Sequence, residues 1–214
     1  SRLFRDLPYS CTINPALGHE VEPEYAITPA AVKKKIMVIG AGPAGMEFAV
    51  TASQRGHDVT VFDKSDQVGG SLRGYAANDL ANRADLFSVI SYYETMAKKQ
   101  GIELRLGTAV DPRLMRDMLH TYDVAVIATG TALHRAALPP VEGDRKILDA
   151  LDVALGKEKA SGAVAVLGGG KVGLTVAESL ATQGHAVTII ETAKRLAGDV
   201  MPSFKWRHSA WVED

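Results

Sequence analysis

The sequence has 214 residues, of which 46% are hydrophobic and 23% charged, as in ordinary globular proteins that bury an apolar core. Lys and Arg total 24 against 25 Asp and Glu, so no excess charge points to nucleic acid or an anionic membrane as a partner. Cys11 is the single cysteine, which excludes an intramolecular disulfide. No apolar run approaches the roughly 20 residues that cross a bilayer, and we expect a cytoplasmic protein.

An internal repeat organises the chain, because residues 36–63 align with residues 164–191 at one constant offset. The matching pairs include Gly40 and Gly168, Gly42 and Gly170, Gly45 and Gly173, Gly56 and Gly184, and Asp63 and Glu191. Two copies of one supersecondary unit predict two modules of the same fold.

Each copy predicts a strand, a glycine-rich turn, a helix and a second strand that ends at an acid. The short unbroken apolar runs are typical of buried parallel strands. Gly56 and Gly184 are the residue type that best adopts the left-handed conformation after a helix. The predicted strands are Ile36–Ile39, Val59–Phe62, Val164–Leu167 and Val187–Ile190.

The segment between the copies continues the alternation of helices and strands. Asn78 is expected to cap a helix over residues 80–100, which Gly101 ends. A strand is predicted over 102–106 and another over 124–128. Between them, Asp111 followed by Pro112 predicts the start of a short helix that runs to about residue 120.

These elements predict an α/β protein with two Rossmann-like, three-layer dinucleotide-binding modules, the second of them truncated. Residues 1–32 are interpreted as a linker segment, 33–160 as the first module and 161–214 as the N-terminal part of the second. A proline-rich linker is expected over 131–144. Both ends of the sequence are expected to be cut. Because a truncated module would expose parallel strands, we also expect a homo-oligomer or a mobile C-terminal third.

The glycine motif G-x-G-x-x-G occurs in both copies between a predicted strand and a predicted helix. Alone, this motif often marks nothing more than a tight turn, but the context and the acid complete a dinucleotide-binding fingerprint. The first glycine makes the turn, the second lets a pyrophosphate approach the backbone, and the third lets the helix pack on the strand. The helix N-terminus attracts phosphate. Asp63 and Glu191 would accept hydrogen bonds from ribose hydroxyls.

Further motifs carry a resemblance to a known family. G-A-G-P-A-G-M-E at 40–47, V-G-G-S-L at 68–72 and V-A-V-I-A-T-G at 124–130 precede the second glycine motif. In this order they resemble the FAD and NAD(P)H modules of two-dinucleotide-binding flavoproteins. Over nearly the whole chain they are most similar to the C-terminal half of multidomain NADH:flavin oxidoreductases of the 2,4-dienoyl-CoA reductase and trimethylamine dehydrogenase type.

The resemblance implies a set of cofactor-binding residues in each module. For FAD, or ADP in its place, these are Gly40, Gly42, Pro43, Ala44, Gly45, Asp63, Lys64, Gly70, Ser71, Leu72, Val110, Ala128, Thr129 and Gly130. For NAD(P)H they are Gly168, Gly170, Lys171, Val172, Gly173 and Glu191. No catalytic acid, base or nucleophile is assigned, because the cofactors carry the chemistry. Ser71 stands where many members of the family have Gln.

The resemblance also implies FMN and a four-iron cluster in the remainder of a longer protein. Cys11, within C-T-I-N-P-A-L-G-H-E, resembles the last cluster cysteine of the family. A cluster needs four thiolates and the sequence has one, so we expect Cys11 to be a ligand only in the full-length protein. The other interpretation is a small buried hydrophobe.

The predicted function is that of a flavin-dependent oxidoreductase fragment that passes electrons between a nicotinamide nucleotide, a flavin and an iron–sulfur and FMN centre. Two alternatives stay open: an electron-transfer dehydrogenase with structural ADP instead of FAD, and a non-catalytic nucleotide-binding module. Glu191 would repel a 2′-phosphate and favours NADH, although Lys194 and Arg195 lie close in sequence and weaken that inference.

Overall fold

A computed structural model describes residues 11, 14, 16–78, 83–131 and 146–200. Residue contacts divide the chain into two units: Pro29–Ser161 is one, and Ser1–Thr28 together with Gly162–Asp214 is the other. Nearly all of the predicted linker over 131–144 lies outside the described residues, as does the end of the chain from residue 201.

The first unit contains a parallel sheet of four strands. They are β1 Lys35–Ile39, β2 Asp58–Phe62, β3 Glu103–Arg105 and β4 Val124–Ile127, in the spatial order β3-β2-β1-β4. Ile39 at the carboxyl end of β1 lies opposite Phe62 and Ile127. The carboxyl ends therefore meet at one edge, where ligands bind in open α/β sheets.

Helices cover both faces of this sheet, which explains the unbroken apolar run of β1. The helices of this unit are α1 Pro43–Gln54, α2 Ser71–Asn78, α3 Arg83–Gln100, α4 Pro112–Met118 and α5 Ala150–Ala154. On one face, Val38 packs with Met46 of α1 and Tyr93 of α3. On the other, Met37 packs with Met115 of α4. The predicted α/β fold with parallel strands is confirmed.

The second unit contains β5 Val164–Leu167, α6 Lys171–Thr182 and β6 Val187–Ile190. The two strands pair in parallel, with Leu167 opposite Ile190. Leu174 and Leu180 of α6 are buried, whereas Leu167 is 51% exposed and Ile190 52% exposed. These strands were expected to be buried on both faces. In the described part of the unit they are not, because α6 is the one α-helix there and it covers a single face.

Asn78 has a different role from the predicted one. It is the last residue of α2 and is buried, and its amide Nδ2 donates to the Gly74 carbonyl at 2.8 Å and to the Ala154 carbonyl at 2.7 Å. It therefore joins α2 to α5, and α3 begins later, at Arg83. The third strand is also shorter than the predicted 102–106. The expected cap at Asp111 is present, since its carboxylate accepts from the Leu114 N–H at 2.7 Å.

No helix within the described ranges has both the length and the apolar character that crossing a membrane requires.

Candidate functional site

The first glycine turn connects β1 to α1 and depends on two close backbone approaches. Gly40 has a φ of +114° and its N–H donates to the Phe62 carbonyl at 2.7 Å. A Cβ at Gly40 would overlap the Ala128 carbonyl oxygen, and a Cβ at Gly45 would overlap the Gly40 carbonyl oxygen. Glycine is thus required at both positions so that α1 can lie directly against the strand ends.

Gly42 differs from its two neighbours because it faces open space. A Cβ built there would meet no described atom within 4 Å. Gly42 is the N-cap of α1 and provides no side-chain cap, and Pro43 follows it. The N–H groups of Ala44 and Gly45 have no acceptor within the helix, as in the first turn of any helix. An anion beside Gly42 could therefore approach these donors and the positive end of the helix dipole.

Asp63 directly follows β2 and is bonded to this turn. One carboxylate oxygen accepts from the Ala41 N–H at 2.6 Å, and the other accepts from the Ser65 N–H at 2.8 Å. A carboxylate has about four acceptor sites, so both oxygens keep capacity for ribose hydroxyls. Lys64, the next predicted residue, is exposed.

The predicted segment before α2 also reaches the first turn. The Gly69 N–H donates to the Ala41 carbonyl at 2.8 Å, and a Cβ on Gly70 would lie 3.1 Å from the Gly42 Cα atom. The structure thereby brings the start of α2, with Ser71 and Leu72, to the glycine turn.

The predicted segment after β4 begins beside the same turn. The Ala128 N–H donates to the Ile39 carbonyl at 2.8 Å, and Thr129 and Gly130 continue outward and are exposed. Val110 packs against the cluster of Met37, Ile39 and Phe62, on the sheet face that α4 covers.

The second glycine turn repeats the first. The Gly168 N–H donates to the Ile190 carbonyl at 2.8 Å, and a Cβ on Gly173 would overlap the Gly168 carbonyl oxygen. The Glu191 carboxylate accepts from the Gly169 N–H at 2.7 Å, as Asp63 does from Ala41.

Backbone N–H groups stabilise the charged form of Glu191. The N–H of Ala193 and then the N–H of Gly169 lower the pKa of Glu191 below the ordinary glutamate range. A carboxylate in this position suits ribose hydroxyls and opposes a 2′-phosphate.

The repeat extends further than the sequence comparison recognised. The Ala197 N–H donates to the Gly169 carbonyl at 2.8 Å, which reproduces the bond from Gly69 to Ala41. At the offset of the repeat, V-G-G-S-L at 68–72 corresponds to L-A-G-D-V at 196–200. An alignment of the two copies that continued to residue 200 would have identified this segment of the second copy.

Asp199, the counterpart of Ser71 in this longer repeat, occupies the start of α6. Its carboxylate oxygens lie 2.9 and 3.0 Å from the Lys171 backbone nitrogen and accept from its N–H. Lys171, Val172 and Gly173 form the first turn of α6, as the corresponding residues do in α1.

Cys11 is exposed. Within the described ranges, no group of three or more His, Cys, Asp or Glu side chains is arranged to hold a metal ion.

Comparison with known proteins identifies the family. Residues 34–214 match the family model of the pyridine nucleotide-disulphide oxidoreductases. The chain belongs to this family. Its members are flavin-dependent oxidoreductases that bind FAD and NAD(P)H.

The individual relatives are consistent with a 2,4-dienoyl-CoA reductase-like group within this family. A metal reductase of Desulforamulus reducens is 32% identical over 95% of this chain and 34% of its own length. An NADH oxidase of Thermoanaerobacter brockii is 35% identical over 94% of this chain and 31% of its own length. A 2-naphthoyl-CoA reductase structure aligns with a TM-score of 0.87 at 38% identity, covering 99% of this chain and 31% of that chain. The chain thus spans about a third of these relatives.

Proposed function

We propose that the first glycine turn binds FAD, that the second binds NADH or NADPH, and that a hydride passes from the nicotinamide to the flavin. The observation that carries the proposal is the same arrangement in both copies: a glycine turn at a helix N-terminus with a carboxylate bonded to it at 2.6 Å in one copy and 2.7 Å in the other. Family membership supports the assignment of both cofactors.

At the first turn, we assign the pyrophosphate to the backbone of Gly42–Gly45. The missing side chain of Gly42 leaves room for it, and the first turn of α1 supplies N–H donors. Asp63 would hold the adenosine ribose, and Gly70, Ser71 and Leu72 would contact the nucleotide further along. Val110, Ala128, Thr129 and Gly130 remain proposed contacts from neighbouring segments. FAD would supply the redox chemistry, while the protein binds and orients it.

At the second turn, we assign the nicotinamide dinucleotide to Gly168–Gly173 and its adenosine ribose to Glu191. The Glu191 carboxylate would repel a 2′-phosphate, which favours NADH over NADPH.

In a longer protein, we propose that Cys11 is one ligand of a four-iron cluster and that electrons continue to FMN. Since the sequence has one cysteine, the other three thiolates would come from outside these 214 residues. The sequence similarity to much longer reductases and oxidases supports a larger assembly. In that protein, residues 1–32 would link the cluster region to the FAD module at 33–160 and the NAD(P)H module at 161–214.

One observation favours a second candidate function. Asp199 already occupies the N-terminus of α6, as it would in a module that binds no nucleotide. The chain would then resemble an electron-transfer protein with structural ADP in the first module.

Analysis of the nucleotide released from the purified protein separates the two candidates. FAD, identified by its mass and by flavin absorbance, together with bleaching of that absorbance by NADH, supports the proposed function. ADP without flavin favours the electron-transfer candidate, and FAD that NADH does not reduce would contradict the proposed role of the second turn. Gly42→Ala is the matched control, since added bulk at the proposed pyrophosphate position should remove whichever nucleotide the first turn holds.

A further inference from the structure

We infer that Asp199 limits nucleotide affinity at the second turn, because its carboxylate competes with the dinucleotide pyrophosphate for the N-terminus of α6. The inference rests on the proposed function of the second turn. It adds that the affinity of this turn for a nicotinamide dinucleotide is limited by an anion that belongs to the protein itself.

The Asp199 carboxylate lies close to both Lys171 and Gly170. Both carboxylate oxygens of Asp199 lie within 3.0 Å of the Lys171 backbone nitrogen. A Cβ on Gly170 would lie 3.0 Å from Asp199 Oδ2 and 3.1 Å from Oδ1. The Asp199 carboxylate therefore fills the space beside Gly170, whose counterpart Gly42 faces open space in the first copy.

The two copies differ in the chemistry that permits this contact. Pro43 is the first helical residue of α1 and has no N–H to offer, whereas Lys171 at the same position of α6 has one. Ser71 in the first copy is uncharged, whereas its counterpart Asp199 carries a carboxylate. A carboxylate at a helix N-terminus is favourable because it meets the positive end of the dipole, and a pyrophosphate would bind there for the same reason.

The backbone before Asp199 is held in place, whereas the Asp199 side chain can move away from the N-terminus of α6. Ala197 is 1% exposed, its φ is +58°, and its N–H is bonded to the Gly169 carbonyl. Asp199 itself is exposed. A rotation of one exposed side chain would therefore open the turn without unfolding the segment, and the incoming phosphate would replace the lost hydrogen bonds. In wild-type protein, that exchange lowers the net affinity.

The test compares NADH binding by the wild-type protein and two variants, using isothermal titration calorimetry. Asp199→Asn keeps a side chain of the same shape that can accept from Lys171 but removes the charge, and Asp199→Ser installs the residue of the first copy. We expect NADH to bind about 3- to 30-fold more tightly to both variants, the range that follows from losing a charged cap at a helix N-terminus. Asp117→Asn, which neutralises an exposed carboxylate on α4, should leave the affinity unchanged.

Two further measurements identify charge competition as the cause. Adenosine, which has no phosphate, should bind the wild type and both variants equally. The ratio of the wild-type and Asp199→Asn dissociation constants for NADH should fall as salt rises, since screening weakens the repulsion.

The outcomes separate this inference from the proposed function. Equal NADH affinities of the wild type and both variants, or weaker binding by the variants, would overturn the role of Asp199 while leaving NADH as the ligand. If neither the wild type nor any variant binds NADH, the proposed function of the second turn fails and the inference fails with it.

Discussion

Asp63 accepts a hydrogen bond from the Ala41 N–H at 2.6 Å, and Glu191 accepts the equivalent bond from Gly169 at 2.7 Å. The acid that follows the second strand of each copy is thereby fastened to the glycine turn that follows the first strand. Because one bond connects the two, the proposed ribose and pyrophosphate positions are held at a constant separation. The acid has a structural role in the turn as well as the proposed role in binding.

Replacing Asp63 tests this double role. In Asp63→Asn, the single carbonyl oxygen can satisfy either the Ala41 N–H or the Ser65 N–H, while the amide nitrogen opposes the other donor. We expect the free energy of unfolding to fall by about 1–2 kcal/mol and flavin affinity to fall about tenfold, measured by denaturant titration and flavin fluorescence. Asp66→Asn, an exposed carboxylate in the same loop, is the control. An Asn variant with unchanged stability would show that the bonds to this turn contribute nothing.

Two alanine variants of the first turn should separate folding from binding. A Cβ at Gly45 would overlap the Gly40 carbonyl oxygen, so Gly45→Ala should lower the free energy of unfolding by roughly 3 kcal/mol. Gly42 has a φ of −73° and open space, so Gly42→Ala should cost at most about 1 kcal/mol as a poorer N-cap. Thermal unfolding and bound flavin are measured for both.

We expect Gly42→Ala to retain the fold and lose flavin. A folded Gly42→Ala protein with a full complement of flavin would exclude the pyrophosphate from this position.

The lowered pKa of Glu191 predicts how acid affects the second unit. A group whose pKa is lower in the folded protein contributes stability above its unfolded pKa and loses that contribution as pH falls through the folded value. Wild-type protein should therefore lose stability below about pH 4 more steeply than Glu191→Gln, which has no charge to lose. Acid unfolding followed by circular dichroism provides the measurement. Parallel acid-unfolding curves for the two proteins would contradict the structural account of Glu191.

Asn78 should contribute strongly to stability because its buried amide nitrogen donates hydrogen bonds to two backbone carbonyls. Asn78→Asp places a carboxylate against the Gly74 and Ala154 oxygens, and we expect a loss of about 3 kcal/mol in denaturant titration. Asn78→Ala should lose about 1–3 kcal/mol, because the variant leaves a cavity and loses both hydrogen bonds but adds no charge. If Asp and Ala variants are equally stable, the contact between α2 and α5 does not depend on this amide.

Much of the molecule follows from local sequence patterns. Glycine is required at 45 and 173 because the carbonyl five residues earlier approaches each of them, and at 40 and 168 because φ is positive, so their spacing identified both turns and the helices that follow. The short cap at Asp111 was equally predictable, since its bond to Leu114 spans one turn. The acids at 63 and 191 were recognised because the repeat places them at the same distance from the glycines.

Tertiary structure decided the features whose partners are distant in the chain. Asn78 appeared to be a cap by its local context, but its second acceptor is the carbonyl of Ala154. An unbroken apolar run cannot tell whether one face or both are covered, which is why the exposure of Leu167 was not foreseen. Asp199 belongs to a segment with no helical or strand period, and its place beside Gly170 arises because the Ala197 backbone is bonded to the glycine turn. Local preferences are encoded over a few residues, whereas these contacts depend on where the folded chain returns.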